Sequence, residues 1–178
     1  MKTTIKHWLK SLRKSETGNA TIEFVILFPV FIFIMLSSIE LGVFTIKSAL
    51  VERALDVVVR DVRLSTGNSP THEELKTMIC DETGAIPGCQ NNIAIELYNI
   101  DPRAWYDIAE TTTCTNRAEE VDPVTTFHNG MDNDLMVVRI CAKYETLFEN
   151  IGMSSLMQRD SSGDVAIVAI SAFVQEPS

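Results

Sequence analysis

Two sets of residues in this sequence have types and spacings that could do chemistry: a carboxylate set into an apolar run, and four cysteines. Glu23 follows Gly18-Asn19-Ala20-Thr21-Ile22 and precedes Phe24-Val25-Ile26-Leu27-Phe28-Pro29. A carboxylate at the middle of a bilayer costs about 2.5–3.5 kcal/mol on insertion scales, so one just inside such a run either sits among headgroups or is kept for a contact. Glu40 is a second carboxylate, near the far end of the run. It reads as having reached the outer headgroups, with a contact to a partner helix as the other reading. Cys80, Cys89, Cys114 and Cys141 are even in number and fit two disulfides in an oxidising compartment. Pairing Cys80 with Cys89 and Cys114 with Cys141 closes the shortest sequential loops, each contributing roughly 2.5–3.5 kcal/mol in the chain-entropy picture. A zinc centre is the sharper use of four cysteines, but no Cys-x-x-Cys pair is present.

Other groups carry less. His72-Glu73-Glu74 lacks the second histidine of a zinc-protease helix, and His7 and His128 would fall on opposite sides of a membrane. Asp132-Asn133-Asp134 has a calcium-like composition without the loop spacing or the distal glutamate, and reads as a turn. No serine or cysteine has a recognisable base partner. The sequence therefore points away from an enzyme, and no cofactor or metal is expected.

The elements that must position these residues follow from hydropathy and charge. An apolar fraction of 46% suits a globular or a membrane-anchored chain, and the location of the apolar residues decides between them. From Ile22 to Ile46 the run would span roughly 37 Å at ~1.5 Å per residue, enough to cross a hydrocarbon core of ~30 Å with some tilt. Lys2, Lys6, Lys10, Arg13 and Lys14 precede it against Glu16 alone. Basic residues so placed stay cytoplasmic, which sends the remainder of the chain across the membrane. Residues 1–18 thus read as a basic leader, 19–46 as the membrane half of a long helix, 47–66 as its amphipathic outer half and 67–178 as an extracytoplasmic domain. The net charge of −9 leaves no basic stripe for phosphates, so nucleic acid is not an expected partner. The run exits through Ser37-Ser38-Ile39-Glu40-Leu41-Gly42, a poor signal-peptidase site. Cleavage before the run is the better reading, since it keeps the run as an anchor.

Beyond the anchor, Leu50, Ala54, Val57, Val58 and Val62 recur at helical spacing opposite Glu52, Arg53, Asp56, Arg60 and Arg63. Ser65-Thr66-Gly67-Asn68-Ser69-Pro70 ends that helix, and Thr71 with Glu74 predicts a capped short helix running to about Cys80. Asp81 to Asn92 reads as loop, and Asp101 to Asp134 as polar and weakly patterned. Strands are predicted at Ile93 to Ile100, Leu135 to Tyr144 and Val165 to Val174. The third is apolar on both faces, which places it at the centre of a sheet or buried on both sides. Leu147 to Ser162 reads as a loop with a helical turn. The expected fold is α+β: a long N-terminal helix packed on a small three-stranded antiparallel sheet.

Gly18-Asn19-Ala20-Thr21-Ile22-Glu23-Phe24 resembles the processing site of type IV prepilins. With Pro29 and the later Ile39-Glu40-Leu41-Gly42, it is similar more narrowly to the TadE-like family, minor pseudopilins of tight-adherence (Flp) pili. The resemblance implies cleavage between Gly18 and Asn19 by a membrane prepilin peptidase, with Phe24 part of the recognised junction. It also implies that Glu23 guides helix packing, that other pseudopilins or pilins and the inner-membrane assembly machinery are the partners, and that the chain is a structural component. Its place would be the bacterial inner membrane, amino terminus inside and outer domain in the periplasm, or an extracellular pilus or its tip. Glycine lets an extended backbone reach a protease without a side chain in the way. The amine freed on Asn19, ordinarily titrating near 7.7–8.0, would be mostly cationic and able to meet Glu23. Pro29 removes one helical hydrogen bond and is expected to loosen the span. The rival reading is an uncleaved, signal-anchored extracytoplasmic binding protein.

Overall fold

A computed structural model describes residues 19–64, 70–101, 103, 111–116, 125–149 and 151–177. The leader with Gly18, the helix-ending segment 65–69 and parts of the polar stretch after Asp101 lie outside the described residues.

Helix α1 (Asn19–Leu64, 46 residues) is about 70 Å long at ~1.5 Å per residue. It runs through Pro29, whose ring nitrogen has no hydrogen to offer the carbonyl one turn back. The hydroxyls of Ser37, Ser38 and Thr45 donate to the carbonyls of Phe33, Ile34 and Leu41 at 2.7, 2.8 and 2.8 Å. These side chains therefore bring no unmet donor to an apolar helix.

Helix α2 (His72–Thr83) begins with a full capping box: Thr71 Oγ1 accepts from the Glu74 backbone N–H at 3.3 Å, and the Glu74 carboxylate accepts from the Thr71 N–H at 2.8 Å. The Thr71 N–H and, at 3.0 Å, the Thr71 hydroxyl both donate to the Glu74 carboxylate and hold it below its ordinary pKa. The helix ends on Gly84 in the left-handed region at φ 53°. The expected loop from Asp81 to Asn92 is shorter than the sequence suggested, because α2 continues to Thr83 and a single turn, α3 (Cys89–Asn92), follows. The Cys80–Cys89 disulfide joins the two and favours compact backbone between them.

Strands β1 (Ile93–Ile100), β2 (Leu135–Tyr144) and β3 (Val165–Val174) form one antiparallel sheet in the order β1-β2-β3. Ile95 pairs with Ile140, and Ile140 with Ala169. The centre is therefore β2, and β3 lies at an edge, contrary to the position its two apolar faces suggested. One face of β3, carrying Ile167, Ala169 and Phe173, is in the core; the other leaves Val168, Ile170 and Val174 exposed. Alternation alone cannot distinguish a covered face from an apolar face left open. The free edge of β1 is guarded by residues 126–128, where the Leu97 N–H donates to the Thr126 carbonyl at 2.8 Å and the His128 N–H to the Leu97 carbonyl at 3.1 Å.

The core lies between the sheet and the helices, α1 over the β3 side and α2 on the β1 side. Val51, Leu55, Val58 and Val62 of α1 meet Leu75 and Ile79 of α2, Ile93, Ile95 and Leu97 of β1, and Met136, Val138, Ile140 and Tyr144 of β2. The buried stripe of α1 is rotated slightly from the predicted one, with Val51 and Leu55 at its centre, Leu50 half-buried and Val57 exposed. Apolar residues in this stretch cover an arc wider than one stripe, and the sheet selects its middle.

Candidate functional site

The first half of α1 presents its side chains outward. Ile22, Phe24 to Phe28, Phe31, Phe33 and Ile34 are all exposed, and the helix is long and apolar enough to cross a membrane. Phe24 and Phe28 stack one turn apart, ring centroids 5.0 Å. Glu23 is exposed on this half, and no hydrogen bond or ion pair joins it to another described residue. Asn19 opens the helix four residues earlier, about 6 Å along the axis at ~1.5 Å per residue. The backbone nitrogen of residue 19 thus lies one turn from the Glu23 carboxylate, on the same side of the helix.

Glu40 is placed quite differently from either expectation. It is 0% exposed, inside the chain's own fold. Its two carboxylate oxygens accept the backbone N–H groups of Leu147 at 3.3 Å and Phe148 at 3.2 Å, in the loop after β2. Its partner is the chain's own β2–β3 loop rather than solvent or another helix, because that loop returns to α1 and needs an acceptor for two N–H groups. A legible signal existed: Glu40, Phe44, Lys47, Val51, Ala54 and Val58 follow spacings of four and three, so the packed stripe extends backwards to Glu40. The part of α1 covered by the rest of the chain accordingly begins near residue 40 rather than at Lys47.

Tyr144 fills the space along this stripe. Its ring lies 6.4 Å from that of Phe44, and Lys47 Nζ sits 5.0 Å above its centroid. Lys47 Nζ also donates to the Ala85 carbonyl at 2.9 Å, and burial lowers its pKa. Burial first, and then the nearby Glu40 charge, push the Tyr144 phenol up to about 12 against the opposing effect of Arg159.

The loop that Glu40 holds is pressed onto the helix just below. Gly152 opens a 3₁₀ turn (Gly152–Leu156) at φ +71°, and a Cβ built on it would lie 2.8 Å from Ser37 Oγ and 3.4 Å from Ser37 Cα. Glycine is required there twice, for the left-handed backbone and for the close approach. Gly152→Ala is expected to destabilise this loop by about 1–2 kcal/mol. Hydrogen exchange of the Leu147–Leu156 amides is the measurement; exchange as slow as in the parent chain would contradict the close packing.

The cysteines pair as Cys80–Cys89 and Cys114–Cys141, with Cα separations of 5.7 and 5.3 Å. The second bridge ties residues 111–116 to the sheet face opposite the helices. Beside it, Arg139 and Glu96 form a buried ion pair at 2.6 Å that sequence reasoning missed. Arg139 also donates to Tyr98 Oη at 3.2 Å and to the Thr111 carbonyl at 3.4 Å, while Glu96 accepts from the Thr113 N–H at 3.4 Å. Burial raises the Glu96 pKa, but Arg139 and Thr113 outweigh it and hold the carboxyl below its ordinary value. Cross-strand register could have revealed the pair, since Glu96 and Arg139 are direct partners, but register is known only once the strands are aligned.

A cleft of about 630 Å³ is lined by Thr111, Thr112, Lys143, Gln158, Arg159 and Asp160. The cavity between α1, α2 and the sheet, lined by Leu55, Val58, Val62, Leu75, Met136 and Phe173, holds about 20 Å³, room for hardly one water. Among the described residues, no group of three or more His, Cys, Asp or Glu side chains is placed to hold a metal. Asn133 takes φ 66° in the turn before β2, and Asp134 there accepts from Asn99 at 2.6 Å and from the Met131 N–H at 2.8 Å, so this acidic run serves the turn.

Residues 18–60 match the family model described as TadE-like protein. The match covers the junction and most of α1, and ends before α2 and the sheet. No curated protein and no solved structure matches the chain.

Proposed function

We propose that the chain is a minor pseudopilin in the assembly of tight-adherence pili, made as a precursor, anchored with its amino terminus inside, and cut after Gly18 by a prepilin peptidase. The observation that carries this reading is the TadE-like segment at residues 18–60 laid on a helix whose first half is apolar and unpacked. A helix left bare over its first half has a binding face for lipid in the precursor and for other helices once assembled. Cleavage would free an amine on Asn19 one turn from Glu23, so the two charges meet within one chain or between neighbours as the helices gather in a low dielectric. The domain carried on the outer half, braced by two disulfides, fits the oxidising side of the membrane.

The test separates the cut from the packing. Gly18→Arg is expected to leave only the full-length precursor on a gel. Glu23→Gln is expected to be cut normally, with an Asn19 amino terminus, and to give few pili. Normal pili from both variants, or a fully functional chain that keeps Met1, would overturn the reading and favour an uncleaved anchor carrying a binding domain.

A further inference from the structure

We infer that the loop between β2 and β3 is a foot that docks the outer domain on the outer surface of the bilayer, with Leu147, Ile151 and Leu156 entering the headgroup and acyl boundary. The inference rests on α1 being the membrane anchor proposed above. The loop is clamped to the helix at a defined height, by Glu40 binding the N–H groups of Leu147 and Phe148 and by Gly152 lying against Ser37. Below that height little helix is left. Ala20 to Leu36 rises only about 25 Å at ~1.5 Å per residue, short of a hydrocarbon core of ~30 Å. If Glu23 stays at the inner headgroups, Phe24 to Leu36 gives about 20 Å at the same rise. A helix this short cannot hold the loop clear of the membrane. The loop has to rest in the outer boundary, or the bilayer must thin to keep it out.

Its side chains suit that level. Leu147 is 58% exposed, Ile151 51% and Leu156 80%, a cluster of large apolar groups directly beside the end of the exposed helix half. The polar groups of the turn are satisfied from within: Ser155 Oγ donates to the Gly152 carbonyl at 2.8 Å, and Ser154 Oγ to the Ile151 carbonyl at 2.9 Å. Arg159 ties the two ends of the loop together by donating to Thr146 Oγ1 at 2.8 Å and to the Ser154 carbonyl at 3.3 Å. A segment near hydrocarbon needs such internal pairing, since no water is there to replace it. Glu149 is exposed between Leu147 and Ile151 and limits the depth to the headgroup boundary. The apolar groups bury and the carboxylate stays wet, as in interfacial segments generally.

The experiment uses the full chain in vesicles of phosphatidylethanolamine and phosphatidylglycerol, with one nitroxide label per protein. All four native cysteines are in disulfides, so an introduced thiol is the labelled one. Labels are placed at Leu156→Cys in the foot, Phe31→Cys in the anchor and Ile170→Cys on the open face of β3. The expected result is that labels 31 and 156 collide more with oxygen than with a water-soluble nickel chelate, label 31 more strongly, while label 170 shows the reverse. A membrane-deep label 31 with label 156 as aqueous as label 170 overturns the foot and leaves the anchor standing. An aqueous label 31 overturns the anchor itself. Label 156 shielded from both reagents, with dipolar broadening between copies, overturns lipid docking in favour of contact with a second copy of this chain.

Discussion

Arg139→Met is expected to lower the unfolding free energy by about 3–5 kcal/mol, because it strands the buried Glu96 carboxylate without its cation. Methionine keeps much of the arginine volume, so the loss comes from charge rather than from a cavity. The pH dependence identifies the cause. In the parent chain the Glu96 pKa is lowered from 4.5, so the pair's stabilisation is present above about 4.5 and is lost as pH falls through the depressed value. In the variant, burial without Arg139 raises the Glu96 pKa, so the penalty is full at neutral pH and eases as the carboxyl takes up a proton. Denaturant titrations of the full chain in detergent should therefore converge as pH is lowered from 7 towards 4. A gap that stays constant would assign the effect to packing. Adding Glu96→Leu should recover much of the loss, since an apolar pair at a buried ion-pair site is often as stable as the pair itself. The consequence reaches the loop as well, because the same two side chains hold Thr111 and Thr113 beside the Cys114–Cys141 bridge.

Glu40→Ala is expected to cost about 2–4 kcal/mol, because two N–H groups in a part-buried loop lose a charged acceptor together. Glu40→Gln keeps one acceptor oxygen and should lose less. The effect should be local. Hydrogen exchange ought to quicken across 145–157 in the alanine variant while the amides shared by β1 and β2 keep their protection. An exchange pattern identical to the parent's would return Glu40 to the headgroup position that the sequence by itself suggested. Gly152→Ala acts on the same clamp from the other side, so the two substitutions together should fall short of additive.

What was legible in the sequence was local. The apolar run of α1, the basic residues before it, the capping box at Thr71 and Glu74 and the alternation in β1 and β2 each depend on neighbours within a turn or a strand. Such patterns read directly as backbone period. The pairing of the cysteines was legible for a related reason, since the shortest sequential loops have the least entropy to lose on closure. The TadE-like junction at Gly18 to Phe24 was recognisable because its parts lie within seven consecutive positions.

The rest depended on residues far apart in the chain. Strand order could not be read from β3, because two apolar faces describe a central strand and an open-faced edge strand equally well, and only pairing with β2 decides. The Glu96–Arg139 pair appears when register brings together residues 43 positions apart. Glu40 is the sharpest instance: beside an apolar run it looked like a charge at the membrane surface, and a loop more than a hundred residues later made it an internal acceptor. Sequence by itself determined that this chain has a long helix, apolar over its first half, carrying a disulfide-braced α+β domain. Only the tertiary structure decided where the bare length of that helix ends, because that point is set by the loop that folds back onto it.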